Sequence, residues 1–300
     1  MNADHRVPEG VREEVRERVR QRVRVRVQRR ATAFAALVAC ATAFVSCADV
    51  GTGPTDIASI EFAPLDLPAL VVGDTLRDAN GAVARLGAIV RNAKGDVLTD
   101  VPVRFIYADY RRDSALAIDA ETGLVRALRA AQPSNGEGRV IAQVPGELQI
   151  VRALVVTTRP DSIVRASTSM PLLNVSGADT ATNRSDPLQV RVRHVEPGVP
   201  PALATVTEVN AWVVRFELVE PVNATNDTTA LAWLVNDNSR PSVLDTTDAS
   251  GTAGRRVRVR PQLLTTVDST VVVVRATTTF RGAPVPGSPV DLRLSVRRAR

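Results

Sequence analysis

Ala115-Leu-Ala-Ile-Asp-Ala-Glu-Thr-Gly-Leu-Val-Arg-Ala-Leu128 decides how this chain folds. Two runs, 115–119 and 124–128, flank a turn at Glu121-Thr122-Gly123. Each run is too short to build a helical stripe, and short apolar runs bounded by turn residues favour strands. Gly123 supplies the positive φ of a hairpin. Asp119 precedes the turn, where a short carboxylate accepts backbone amides. The unit is therefore a strand, a turn and a second strand, paired antiparallel.

Working outward, the same grammar repeats. Expected strands in the first half are 57–62, 70–72, 82–91, 101–107, 115–119, 124–128, 139–144 and 150–157. In the second half they are 188–195, 212–219, 230–235, 256–260, 270–279 and 290–296. Asn80-Gly81, Asn92-Ala-Lys-Gly95 and Ser134-Asn-Gly136 mark turns between them. Seven or eight strands in about 100 residues is the count of an immunoglobulin-like sandwich. The expected fold is all-β, with two tandem immunoglobulin-like β-sandwiches at 57–160 and 187–300. The Ser/Thr/Asn/Asp-rich stretch 161–186 reads as a linker. Val103 and Phe105 are expected to face the first core. Val257 and Val259 form a buried face alternating with Arg256, Arg258 and Arg260, an arginine stripe read as the solvated side of a blunted edge strand.

Several strings resemble bacterial Ig-like domains of group two. These are Ile57-Ala-Ser-Ile-Glu-Phe62, Leu70-Val-Val-Gly-Asp-Thr75, Ala88-Ile-Val-Arg-Asn-Ala-Lys-Gly95, the 115–125 hairpin and Gly138-Arg-Val-Ile-Ala-Gln-Val144. Phe105 stands where that family usually carries a core Trp. In the second half, Gly251-Thr-Ala-Gly254 and its Val/Arg run resemble the late strand of invasin-type Ig-like domains. The segment 197–210 has no counterpart in that resemblance.

The first 46 residues read as a leader. Residues 1–30 hold ten arginines against five acids, most of the formal +6 of the whole chain. A sixteen-residue apolar run follows at 31–46, shorter than the roughly 20 residues that span a bilayer. Positive, then apolar, then small residues is the order of a secretory signal peptide. The long Val/Arg stretch 11–30 reads either as a start assigned upstream of the true one or as a basic arm. Both cysteines of the chain lie at this leader. Leu37-Val-Ala-Cys40 and Phe44-Val-Ser-Cys47 each resemble the bacterial lipobox. That resemblance implies cleavage before a diacylated cysteine. Cys47 is favoured, because it ends the apolar run and opens a tether at 47–56; Cys40 is the alternative. An uncleaved anchor remains a third reading.

Little in the composition points to catalysis. Beyond residue 30, basic and acidic groups nearly balance, which disfavours a protein that grips nucleic acid through phosphates. Two histidines and two cysteines are a poor supply for zinc, and no nucleophile elbow or phosphate loop is present. His194 is the body's only histidine, and alternation puts it among the expected exposed residues. Asn226-Asp227, Asp237-Asn238 and Asp245 to Asp248 offer oxygen ligands but read better as turns. Asn174, Asn183, Asn223 and Asn226 begin Asn-x-Ser/Thr triplets that a bacterial lipoprotein would not use. No metal, no cofactor and no catalytic residue is expected. The chain reads as an exported, lipid-anchored envelope protein, not an enzyme, facing the periplasm or the cell exterior. Its role is structural, adhesive or spacing. A solute- or polysaccharide-binding accessory role is the alternative. The expected partners are a membrane, reached through the lipid, and an unidentified protein or polysaccharide.

Overall fold

Alternating apolar residues on short extended segments can only bury their shared face by stacking sheets, and the chain does this twice. The computed structural model describes residues 56–108, 115–128, 137–146, 148–167, 169–198, 203–221 and 230–299. Cys40 and Cys47, the turn at 134–136 and Asn226-Asp227 lie outside the described residues.

The first half contributes β1 (Ile57–Phe62), β2 (Ala69–Val71), β3 (Ala88–Asn92), β4 (Arg104–Tyr107), β5 (Leu116–Ile118), β6 (Val125–Ala127), β7 (Glu137–Gln143) and β8 (Gln149–Thr157). A four-stranded sheet runs β2-β8-β7-β4, flanked by the pairs β1-β3 and β5-β6. The hairpin that opened the sequence reading is present, with Ile118 opposite Val125 and Leu116 opposite Ala127. Gly123 has φ 68°, and a Cβ there would lie 2.4 Å from the Leu86 carbonyl oxygen. Asp119 accepts the amides of Glu121 and Thr122. The first core gathers Leu70, Leu154 and Val140 from the sheet, Phe62 and Val90 from β1-β3, and Val125 from β6. Phe105 belongs to it, at 6.5 Å from the Phe62 ring. Tyr107 shares its parity and packs on the same core.

The second half contributes β9 (Ser162–Arg165), β10 (Leu172–Val175), β11 (Leu188–Glu196), β12 (Thr205–Glu208), β13 (Val213–Glu220), β14 (Ala232–Val235), β15 (Leu244–Thr246), β16 (Thr252–Val259), β17 (Ser269–Thr277), β18 (Thr279–Phe280), β19 (Ala283–Pro284) and β20 (Val290–Arg298). One sheet runs β10-β20-β17-β13-β15 and the other β12-β11-β16-β14, with β9 also on β11. Their inner faces meet in one core. Phe216, Val214, Val272 and Leu294 from one sheet face Val190, Val257 and Leu234 from the other. All seven are completely buried. Stacked sheets with inward alternation are the sandwich architecture that the sequence predicts.

Three expectations are corrected. The stretch 161–186 is not a bare linker: β9 pairs antiparallel with β11 and β10 pairs parallel with β20. The arginine-bearing β16 is not an edge strand, because it lies between β11 and β14. Arg256, Arg258 and Arg260 are half-buried, with Arg256 bonded to Asp237 at 2.9 Å. Arg258 and Arg260 lie over the Trp233 ring at 5.4 and 5.6 Å. Nor does His194 sit with the exposed residues. It shares the parity of Val190 and Val192, is half-buried, and its Nδ1 lies 2.5 Å from Asp161 Oδ2.

Candidate functional site at the seam between the two cores

The two cores share a wall. On β2, Leu70 packs into the first core, whereas its neighbours Ala69 and Val71 pack into the second. β2 pairs with β8 in parallel, Leu70 beside Val156. β8 divides the same way: Leu154 and Val156 join the first core and Val155 packs on the second. Alternation thus gives each core one face of the same strand pair. Residues 57–300 form one compact unit.

A charged clasp sits at the end of this wall. The chain turns after β2 at Gly73, and Asp74 points inward with its side chain 7% exposed. Arg77 donates to both carboxylate oxygens, Nη2 to Oδ1 at 2.7 Å and Nε to Oδ2 at 2.8 Å. Arg281 Nε reaches Oδ2 at 3.0 Å from the β18–β19 hairpin of the second half. Burial alone would raise the Asp74 carboxyl. The hydrogen bonds from Arg77 and Arg281 outweigh it and hold the group well below the usual carboxylate range. Asp74 also accepts the Thr75 amide, as a turn carboxylate does, but the arginines are the larger part of its environment.

Arg281 is held in an unusual backbone. Its φ is 53° and that of Gly282 is 77°, the two left-handed positions of a tight hairpin turn. Asn is the ordinary residue at the first of them, and a long side chain there is disfavoured. Here the side chain crosses to Asp74 and stacks on Phe280, whose ring lies 5.3 Å from the guanidinium. Phe280 in turn packs 6.1 Å from Trp212. The turn at Asn80-Gly81 meets this hairpin backbone to backbone. A Cβ on Gly81 would fall 2.2 Å from Gly282 N, and one on Gly282 would fall 2.6 Å from Asn80 O.

Two further knots fasten the second half. Buried Thr247 accepts the Trp212 amide at 2.9 Å and donates to Val209 O at 2.6 Å. Where β8 leads into β9, Asp161 accepts Arg159 Nε at 2.6 Å and the Val195 amide at 3.0 Å, and it pairs with His194. Desolvation would raise the Asp161 carboxyl, but these bonds lower it.

The sequence marks Asn80-Gly81 as a turn, but nothing near it points to Arg281. The one signal is an Arg-Gly pair in a hairpin position that favours Asn-Gly. Among the described residues, no three His, Cys, Asp or Glu side chains gather as a metal site would need. Asp237, Asp245 and Asp248 pair with arginines or turn amides instead. Both tryptophans are buried, Trp212 at 4% and Trp233 at 5% exposure, so neither offers a platform for a sugar ring. No helix among the described residues is long and apolar enough to cross a membrane.

No family model matches the chain, and no curated protein matches it. Solved structures do. The Yersinia pseudotuberculosis adhesin InvE is 14% identical over 82% of this chain and 61% of the adhesin, with a TM-score of 0.30. Cadherin-like domains 1 to 4 of zebrafish RET are 14% identical over 78% and 47%, with a TM-score of 0.29. Human protocadherin-24 EC1-2 is 14% identical over 81% and 100%, with a TM-score of 0.24. The match therefore spans less than two thirds of the adhesin and less than half of the RET fragment. The assignment of this chain to stacked β-sheets rests on its own strand pairing and its two cores.

Proposed function

We propose that this chain is an exported lipoprotein, held at a bacterial envelope membrane by diacylation of Cys47 (alternatively Cys40). Its two-core β unit serves as a stiff structural or adhesive module. The observation that supports the reading is the shared wall. A spacer must transmit position, and β2 and β8 bury residues in both cores at once, so one half cannot rotate freely on the other. The Asp74–Arg281 clasp and the Gly81–Gly282 contact oppose the same motion. Two acyl chains anchor firmly where one would exchange, and loops at the ends of the sandwiches offer contacts. The work is positional, with no reaction assigned.

Metabolic labelling with a fatty-acid analogue tests the anchor. Wild type and Cys40→Ala are expected to incorporate label, and Cys47→Ala to lose it. Label lost in Cys40→Ala alone moves the anchor to that residue. An unlabelled wild type overturns the lipoprotein reading. Stiffness is tested separately by small-angle scattering of the soluble body, which should fit one rigid shape; a flexible pair of bodies overturns the spacer role.

A further inference from the structure

A cavity of about 320 Å³ opens at the side of the second sandwich, where the chain crosses from β9 to β10. Its volume lies at the lower end of small-molecule sites, about 300–1,000 Å³. The floor is apolar: Leu188 and Leu292, one from each sheet, are 3% and 6% exposed and line it. Met170 continues the apolar lining outward and is 55% exposed. Two exposed arginines also line the cavity, Arg165 at the end of β9 and Arg293 in β20.

Most other arginines of this half have side-chain partners among the described residues, although Arg215, Arg240 and Arg297 do not. Those of β16 are engaged with Asp237, Asp179, Asp245 or the Trp233 ring. Arg275 is engaged bidentately with Asp291, Nε to Oδ1 at 2.8 Å and Nη2 to Oδ2 at 3.1 Å. Arg165 and Arg293 make no side-chain hydrogen bond or ion pair with a described residue. Arg275 holds the Asp291 carboxyl below its ordinary range, with smaller help from Arg165 and Arg293, and both Asp291 oxygens are taken by Arg275. The rim also carries Asp186, whose side chain is 91% exposed and turned to Arg256 at 3.9 Å. Ser167 and Ser169 at the mouth are bonded to each other at 2.8 Å.

We infer that this cavity binds a carboxylate on a short aliphatic body, the body over Leu188 and Leu292 and the carboxylate between Arg165 and Arg293. Two planar guanidinium groups with free donors match a carboxylate better than a neutral polar group. The apolar floor distinguishes the ligand from a bare inorganic anion. No aromatic ring lines the cavity, so a sugar would have nothing to stack on. The same chemistry comes from a free branched-chain acid or from the C-terminus of a peptide ending in leucine. The inference is independent of the anchor.

The test uses the full chain, isotope-labelled, with four probes followed by NMR: 4-methylpentanoate, the tripeptide Ala-Ala-Leu, its C-terminal amide, and inorganic sulfate. At least one of the two carboxylates should shift the Leu188 and Leu292 resonances, and the amide should bind at least tenfold more weakly than the acid. Binding by the free acid alone assigns a small-molecule ligand; equal or tighter binding by the tripeptide assigns a chain end. Arg165→Glu and Arg293→Glu should each weaken binding at least tenfold, with unchanged thermal stability because both side chains are exposed. The inference is overturned if neither carboxylate binds, if the amide binds as well as the acid, if sulfate binds as tightly as the carboxylates, or if both substitutions leave affinity unchanged.

Discussion

Replacing Asp74 with Asn preserves the shape of the clasp and removes its charge. The carboxylate accepts three guanidinium bonds, two from Arg77 and one from Arg281. Hydrogen bonds to charged groups contribute about 1.5–3 kcal/mol each when they are shielded from water. Arg77 is 19% exposed, so its forked pair with Asp74 keeps most of that value. Arg281 is 53% exposed, and its share is reduced by solvent to about 0–1 kcal/mol. The substitution should therefore destabilise the body by about 3 kcal/mol. For a body of this size about 1 kcal/mol corresponds to about 2–4 °C, which gives a fall in melting temperature of about 6–12 °C. The pH dependence has a definite sign. A carboxyl whose folded value is depressed adds stability above its unfolded value, near pH 4, and loses it as pH falls towards the folded value. The gap between wild type and Asp74→Asn should be full at pH 7 and shrink between pH 4 and pH 2. Both tryptophans lie in the second half, Trp212 in its core and Trp233 beneath Arg258 and Arg260, so their fluorescence reports that half while far-UV circular dichroism reports both. In wild type the two transitions should coincide. A melting temperature within 2 °C of wild type at pH 7, or a gap that does not shrink in acid, refutes the role given to the clasp.

Gly81→Ala should destabilise far more than Gly95→Ala, by about 2 kcal/mol or more in urea melts. Both glycines have positive φ, but a Cβ on Gly81 meets Gly282 N at 2.2 Å and one on Gly95 meets nothing within 4 Å. Thr247→Val should cost about 1–3 kcal/mol, since it leaves the buried Trp212 amide without its acceptor; a neutral result would show that water reaches it. Phe216→Ala, at a completely buried site in the second core, should cost about 3–5 kcal/mol. Because the cores share β2 and β8, hydrogen exchange in β7 should also accelerate; unchanged exchange there would mean that the two cores open separately.

What the sequence made legible follows from length and periodicity. β1, β8 and β13 alternate over enough residues to announce themselves, β17 does so by its run of four valines, and the structure places all four within a residue or two of the expected bounds. β9 and β10 resemble linker in the sequence because each has only four residues and one or two inward side chains, in a stretch rich in Ser, Thr, Asn and Asp. β12 fails for a similar reason: none of Thr205–Glu208 is buried, so no pattern exists to detect. The shared wall leaves a trace in the sequence. Ala69-Leu-Val71 is apolar without alternation, and a strand covered on both faces reads that way. The bond from Arg281 to Asp74 could not be read, because the two lie 207 residues apart and only the fold brings them together. The anchor at Cys47 or Cys40 stands on the leader's order of charge, apolar run and cysteine alone.

The shared wall also limits where this chain can be cut. A fragment starting at residue 161 keeps most of a Val-rich sandwich but lacks Ala69, Val71 and Val155, the side chains that close one flank. A fragment ending at residue 160 carries those three side chains facing water. Each piece alone presents sticky surface, and the two halves are better produced, exchanged or inherited as a single cassette from residue 57 onward than as interchangeable beads.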